Sequence, residues 1–460
     1  LPQGRARFLY CYLTILLSYF CRIKTETLGV FFYNIFLFLF RLGTHIASPF
    51  NAKARKWVRG RKNIFEKLQA TIPPDEKIIW VHCASLGEFE QGRPVIERLK
   101  AVIALRGTKQ EATTYKILLT FFSPSGYEVR KNYDGADWVF YLPMDSARNA
   151  RRFLEIVHPS LVIFVKYEFW YYYLKKIKYR NIPLLLISAL FRKDMSFFKW
   201  YGGIQRKILS RFDHLFVQNK ESKELIAGIG LDDICSVSGD TRFDRVIQIA
   251  AASQPLPLIE AFIGNSKAII AGSTWPEDEE VLQQAFNTIN DPSLKLIIAP
   301  HEISDKHIAD IQKLFPDCIR YSELQTPDSR LPTGNCLIID NIGMLSRLYQ
   351  YAYITYIGGG LKTNGVHNVL EAAVYDKIVL FGPYYQKYSE AVGLVQSGGA
   401  LSFTDEKKDG VLLSQLISAL LNDMEEYAYR SRAAGEFVRL HKGATEKIID
   451  FIQEKRLLTS

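Results

Sequence analysis

The stretch Tyr356–Pro383, YIGGGLKTNGVHNVLEAAVYDKIVLFGP, reads as one β-loop-α-β unit. The mostly apolar run Ala352–Ile357 enters it as a buried strand, and Gly358, Gly359 and Gly360 follow. A polar loop leads to His367-Asn368, which opens a helix with Glu371 one turn in. A second buried strand, Ile378–Phe381, stops at Gly382-Pro383. Glycines at the carboxyl end of a strand let backbone N–H groups approach a phosphate, and a helix N-terminus favours an anion. The competing reading is a tight turn in which Asn368 and Glu371 form a capping box. The stretch holds neither GxGxxG nor GxxxxGK[ST], so it is neither a dinucleotide fingerprint nor a P-loop.

The same grammar extends outward. Short apolar strands are expected at Ile78–Cys83, Ile117–Phe122, Trp138–Tyr141, Leu161–Val165, Leu184–Leu190 and Leu215–Gln218. A second set is expected at Ala268–Gly272, Leu296–Ala299, Leu337–Asp340, Tyr353–Ile357, Ile378–Phe381 and Ala400–Phe403. Helical stretches such as Gly92–Ile103 and Ala147–Val157 lie between them, a pattern that argues for parallel α/β sheets. A break falls near Ala250–Pro257. The expected architecture is two Rossmann-like domains, 51–250 and 251–433, facing a cleft, with a helix over about Ala434–Gln453 opening a closing segment, 434–460.

Ahead of these lie two apolar runs, Phe8–Phe20 and Leu28–Phe40, in an N-terminal region, 1–50, read as extension and anchor. The second run continues through Arg41 to Ala47, long enough to span a bilayer with Arg41 snorkelling, or to lie in the interface. The chain opens on Leu, and residues 1–27 read as an upstream extension with Leu28 near a natural start. Lys53, Arg55, Lys56, Arg59, Arg61, Lys62 and Lys67 follow, opposed only by Glu66, which reads as a cytoplasmic-face basic skirt for anionic lipids. The net charge of +10 and an aromatic content of 13% over 460 residues suit an acidic or amphiphilic partner. The six cysteines form no CxxC pair, which argues against a zinc site and a disulfide framework.

Several strand ends carry chemistry. Glu88, in His82-Cys83-Ala84-Ser85-Leu86-Gly87-Glu88, is placed as a general base for a hydroxyl, although Ser85-x-x-Glu88 also matches a capping box. Glu168, in Lys166-Tyr167-Glu168-Phe169-Trp170, is a second carboxylate at a strand end, or a solvent-facing Glu among core aromatics. Phe191–Tyr201 mixes basic and large apolar residues, which suits an amphiphile or aromatic packing under a loop. Ala271-Gly272-Ser273-Thr274 is a small, hydroxylated strand end, and the acids Glu277 to Glu280 load the next helix N-terminus. Pro300-His301 ends another strand. No HExxH or paired-His cluster suggests a metal, and no cofactor is expected.

Taken in order, these motifs resemble the 3-deoxy-D-manno-oct-2-ulosonic acid (Kdo) transferases of lipopolysaccharide assembly. The resemblance runs from about Leu28 to the C-terminus and rests on Trp80–Glu88, Tyr167–Trp170, Ala271–Thr274, Gly358–Gly360 through Gly365–Glu371, and Phe381-Gly382-Pro383 with Ser389-Glu390. It implies an inverting, metal-independent GT-B glycosyltransferase of a Gram-negative inner membrane, acting at the cytoplasmic face. Its donor would be CMP-Kdo and its acceptor a lipid A precursor (lipid IVA), with no nucleic acid partner. By similarity Glu88 is the general base, and Glu168 and Arg192 are acceptor contacts. Gly272, Ser273, Thr274, His301, Gly358, Gly359, His367, Asn368 and Glu371 are donor contacts, with Glu371 on the ribose. The chain departs from the family pattern at Lys166, where many members have an acid, at His301-Glu302, and at Ser188-Ala189-Leu190. A nucleotide-sugar epimerase and a silent, membrane-tethered nucleotide-sugar binding protein are the rival readings.

Overall fold

A computed structural model describes residues 27–107, 114–325, 334–363, 365–403 and 409–458. The run Phe8–Phe20, Cys11, Cys21 and Asn364 lie outside them. The chain divides into two compact units, one comprising residues up to Thr241 with 443–460, the other Arg242–Lys442.

The first unit holds β1 (Lys77–Cys83), β2 (Tyr115–Phe121), β3 (Trp138–Tyr141), β4 (Pro159–Val165), β5 (Leu184–Ala189), β6 (His214–Val217) and β7 (Cys235–Val237). They form one parallel sheet in the order β3-β2-β1-β4-β5-β6-β7. Helices cover both faces, so the strands are buried on both sides and read as unbroken apolar runs. The second unit holds β8 (Ala268–Thr274), β9 (Lys295–Pro300), β10 (Cys318–Arg320), β11 (Cys336–Ile338), β12 (Ile354–Ile357), β13 (Ile378–Phe381) and β14 (Ala400–Ser402). Its sheet is also parallel, ordered β10-β11-β9-β8-β12-β13-β14. In each sheet the order reverses once at the centre, between β1 and β4 and between β8 and β12. The carboxyl ends at such a reversal are where open α/β sheets bind ligands.

The structure corrects four expectations. β7 and β10 are additional strands of three residues each, too short for an apolar run to reveal. The units divide at Thr241, ahead of the Ala250–Pro257 break, because Phe243 and Val246 on the helix Thr241–Ala251 bury in the second core. The closing helix is two, Met424–Leu440 and Ala444–Glu454, parted by Gly443 at φ 99°. Ile448, Ile449 and Ile452 of the second return to the first core. Cys318 and Cys336, opposite each other on β10 and β11, form a disulfide, whereas Cys83 and Cys235 are free and buried.

Thr27–Ala47 is one continuous apolar helix of 21 residues, about 31 Å at 1.5 Å per residue. Phe31, Phe32, Phe36, Phe38 and Leu42 are exposed along it. Tyr33 ties it to the body through a 2.6 Å bond to Asp145 Oδ2, and Tyr172 donates to Asn34 at 2.9 Å. Of the basic cluster that follows, Arg61 turns inward. It donates to the carbonyls of Phe122 and Leu142 and lies over the rings of Trp57 and Tyr141, so it is a packing residue.

Candidate active site

The first unit places two carboxylates at its strand-order reversal. β1 ends at Cys83, and the helix Leu86–Gly107 starts three residues on with Glu88 in its first turn. Glu88 Oε2 accepts from the backbone N–H of Ala84 at 2.6 Å and of Ser85 at 3.2 Å. The carboxylate half of the capping box is therefore real. It does not leave Glu88 an ordinary acid: burial, and then the charge of Glu168, push its carboxyl up to about 7, against the pull of those two amides and of Lys166. A carboxylate with a pKa near neutrality suits general-base work.

Glu168 follows β4 and is buried, not solvent-facing. Its Oε2 lies 3.0 Å from His82 Nε2 and accepts from the Trp170 indole. His82 Nδ1 lies 2.9 Å from Thr120 Oγ1, which also accepts from Trp80 Nε1 at 2.7 Å. Glu168 is thus held by a buried polar chain running across β1 and β2. Arg192 sits on a surface loop and pairs loosely with Asp194 at 3.5 Å. Around it the aromatics divide: Phe191 and Phe197 are buried, whereas Trp200 is 91% exposed.

In the second unit a cavity of about 360 Å³ opens at the carboxyl ends of β8 and β12. Gly359, His367 and Asn368 line it, as do Trp275, Arg242, Lys362, Tyr388 and Glu390. The glycine run works differently from a phosphate cradle. A side chain at Gly358 would collide with the Ser273 carbonyl, and one at Gly360 would press on Gly382. Gly359 has φ 86°, and its N–H goes to Asp278 Oδ2 at 2.9 Å. Asp278 also takes Tyr356 OH at 2.7 Å and Trp275 N–H at 2.9 Å. Asp278 therefore pins the loop beneath the cavity, a role beyond loading a helix N-terminus.

Other expected donor residues are redistributed. Gly272 is a packing glycine, since a Cβ there would strike Tyr349 and Leu345. Thr274 is fully buried and donates to Glu279 Oε1 at 2.8 Å; neither it nor Ser273 lines the cavity. His301 is exposed but stacks on Trp275 and on His367, with ring centres 4.7 and 4.4 Å away. His367 accepts from Trp275 Nε1 at 3.0 Å, and burial with His301 beside it lowers its pKa to about 4, so it is neutral. The expected helix after Asn368 is a single turn, Leu370–Ala373, too short to act as an anion-binding dipole. Asn368 donates its amide to Glu371 Oε1 at 2.9 Å and accepts from Leu370 N–H at 3.2 Å. Glu371 is held beside the cavity, not in its lining.

Cationic charge at the cavity comes from Arg242 and Lys362, neither singled out by motif reading. Arg242 bridges to the buried Glu390 at 2.7 Å, and Lys362 pairs with Glu277. Lys362 was within view, two residues past the glycines; Arg242 carried no local signal. Among the described residues no three His, Cys, Asp or Glu side chains converge as a metal site.

Residues 59–245 match the family model described as 3-Deoxy-D-manno-octulosonic-acid transferase (kdotransferase). The 3-deoxy-D-manno-octulosonic acid transferase of Aquifex aeolicus is 28% identical over 73% of this chain and 86% of its own length. That of Haemophilus influenzae is 24% identical over 84% of this chain and 88% of its own. A bifunctional glycosyltransferase/methyltransferase of Fusobacterium nucleatum is 24% identical over 84% of this chain, which spans only 56% of that protein. Among solved structures, the UDP-GlcNAc 2-epimerase of Neisseria meningitidis aligns with a TM-score of 0.56 at 16% identity, over 82% of this chain and all of its own. MurG of Acinetobacter baumannii aligns at 0.51 and 12%, over 82% of this chain and 99% of its own. At those identities the structures speak for the GT-B fold alone. The chain is a glycosyltransferase, homologous to the Kdo transferases over most of its length and carrying their family domain at residues 59–245.

Proposed function

We propose that the protein transfers Kdo from CMP-Kdo to a lipid A precursor of the lipid IVA type, with inversion and without a metal, in lipopolysaccharide core synthesis. The observation that carries the reading is Glu88, a partly buried carboxylate at a strand-order reversal with its pKa raised to about 7. Ionised, it takes the proton of the acceptor hydroxyl as that oxygen attacks the anomeric carbon. The bond from that carbon to the CMP phosphate breaks on the opposite face, and the phosphate leaves with the electron pair. Arg242 and Lys362, paired with Glu390 and Glu277 of the same lining, serve the departing phosphate by exchanging those partners for it. Trp275, neutral His367 and Asn368 offer a flat wall and polar contacts for the nucleotide. Glu168, Arg192 and the exposed Trp200 belong to the acceptor side.

The protein works at the cytoplasmic face of an inner membrane on this reading. The exposed apolar helix Thr27–Ala47 and the basic residues Lys53, Lys56 and Arg59 beyond it support that placement, with anionic lipids as the partner of the basic residues. The test is purified protein with CMP-Kdo and tetra-acylated lipid IVA in EDTA, with product masses read out. Wild type is expected to add Kdo-sized increments, and Glu88→Gln to add them about 10²–10⁴-fold more slowly. Absence of product from folded wild type that binds both substrates would sink the assignment.

A further inference from the structure

The mechanism leaves one large feature of the first unit unused. The apolar helix, the helix Ala52–Gly60 and the loop after β2 line an open groove of about 590 Å³, within the range typical of small-molecule sites, ~300–1,000 Å³. Leu39, Phe40, Gly43, Trp57 and Phe122 form its apolar walls, and the exposed Lys53 stands at its lining. Trp57 is 6% exposed, and its indole N–H meets no acceptor among the described residues.

Two further observations say what occupies the groove. On one side, the same helix carries the exposed Phe31, Phe32, Phe36 and Phe38, a surface suited to hydrocarbon. On the other, the groove borders the Glu88 site. Phe122 stacks on Trp170 at 4.6 Å, and the Trp170 indole donates to Glu168. The N–H of Ser123, another lining residue, donates at 2.7 Å to the carbonyl of Ala84, whose own N–H is held by Glu88.

We propose that this groove seats an acyl chain of the acceptor glycolipid, with an anionic group beside Lys53. The proposal rests on the reading of the protein as a transferase to an acylated, phosphorylated sugar. It adds a tail site that sets where the acceptor's sugar lies relative to Glu88.

The test uses the full chain in detergent micelles. The probe is phosphatidylglycerol with brominated acyl chains, which quenches nearby indoles; the Trp57 share is the difference between wild type and Trp57→Phe. The expected result is quenching of Trp57 that the tetra-acylated acceptor relieves. Gly43→Leu adds an isobutyl group to the lining, and its Cβ meets nothing within 4 Å. It is expected to abolish the quenching and raise the acceptor KM about ten-fold, the equivalent of roughly two buried methylenes, with little change in kcat. Trp57 insensitive to brominated lipid, or a Gly43→Leu protein with unchanged quenching and KM, overturns the tail site. Quenching that acceptor does not relieve assigns the groove to bulk phospholipid and overturns the choice of occupant. Failure of the transferase reading looks different: wild type makes no product while acceptor still competes at Trp57.

Discussion

Glu88→Gln separates a cap from a base, because the two roles predict opposite signs of stability change. As a plain cap, Glu88 stabilises its helix, and replacing it costs about 1 kcal/mol at any pH where it is ionised. The structure predicts the reverse. Burial and Glu168 raise the carboxyl from 4.5 to about 7. A raised carboxylate means the folded state holds its proton more tightly than the unfolded chain. Its favourable contribution is fully present below pH 4.5 and is lost as pH rises through 7. The 2.5-unit difference corresponds to about 3 kcal/mol at most, and to roughly 1–3 kcal/mol for a group that keeps some solvent contact. Gln keeps an oxygen for the Ala84 and Ser85 amides and never ionises. The variant is therefore expected to match wild type near pH 4.5 and to exceed it in stability at pH 8, while losing about 10²–10⁴-fold in turnover. Urea denaturation of both proteins at pH 5, 6, 7 and 8, beside the mass-based transfer assay, reads both quantities. A Glu88→Gln protein that is less stable than wild type at pH 8 refutes the claim that Glu88 is held at a cost, and with it the argument for a base.

On the proposed mechanism, the neighbours of Glu88 set where activity rises with pH. Glu168→Gln is expected to move the acid limb of kcat/KM to lower pH and Lys166→Met to move it higher, since the first charge raises the Glu88 pKa and the second lowers it. A pH profile unchanged in both variants would remove Glu88 from the rate law. Asp278→Asn keeps one of two acceptor oxygens, Oδ1 for Tyr356 OH or Oδ2 for the Gly359 and Trp275 amides; it is expected to destabilise the second unit by roughly 1–3 kcal/mol and raise the donor KM, as measured by denaturation and kinetics. Gly272→Ala drives a methyl into the Tyr349 hydroxyl and is expected to cost about 1–3 kcal/mol, with partial recovery in Gly272→Ala/Tyr349→Phe. No recovery in the double variant would refute Tyr349 as the group for which Gly272 makes room.

Much of the fold was legible because parallel strands buried on both faces leave unbroken apolar runs; Trp138–Tyr141 and Ile378–Phe381 stand where the sequence reading puts them. Cys235–Val237 and Cys318–Arg320 were not legible, being three-residue edge strands defined by their neighbours and not by their own pattern. The site was legible by position more than by role. Glu88, Glu168 and Gly359 follow strand ends where apolar runs stop, and His367 and Asn368 lie in the loop ahead of Leu370–Ala373. What each glycine does depends on which backbone it meets, and no local pattern records that Gly358 faces the Ser273 carbonyl or that Gly272 faces Tyr349. Asp278 was hidden for a related reason. Acids at a helix start are explained by the macrodipole whether or not they are buried, and only the tertiary partners Tyr356 and Gly359 show that this one is a strut.

Backbone strain points to the same places by an independent route. Nine non-glycine residues among those described have positive φ. Six, Asn63, His158, Asn181, Asn290, Asp376 and Arg456, lie between helices or just past helix ends, where a left-handed residue is an ordinary terminator. The other three, Lys166, Ser188 and Ser273, lie at or just beyond the carboxyl ends of β4, β5 and β8. The sheet register slips at two of them, between Leu186 and Ala189 and between Gly272 and Thr274. Each left-handed residue without glycine's freedom costs roughly 1–2 kcal/mol, and such strain persists where surrounding structure over-determines it. Here it is so determined. Ser188 Oγ bonds Thr241 while its carbonyl takes Gln218, and the Ser273 carbonyl lies against Gly358. At Lys166 glycine would relax the backbone, but only lysine also brings a charge that pulls Glu88 down from the higher pKa its burial would impose. Lys166, one of the positions where the chain departs from the Kdo transferase pattern, therefore holds the Glu88 carboxyl lower than burial and Glu168 alone would set it.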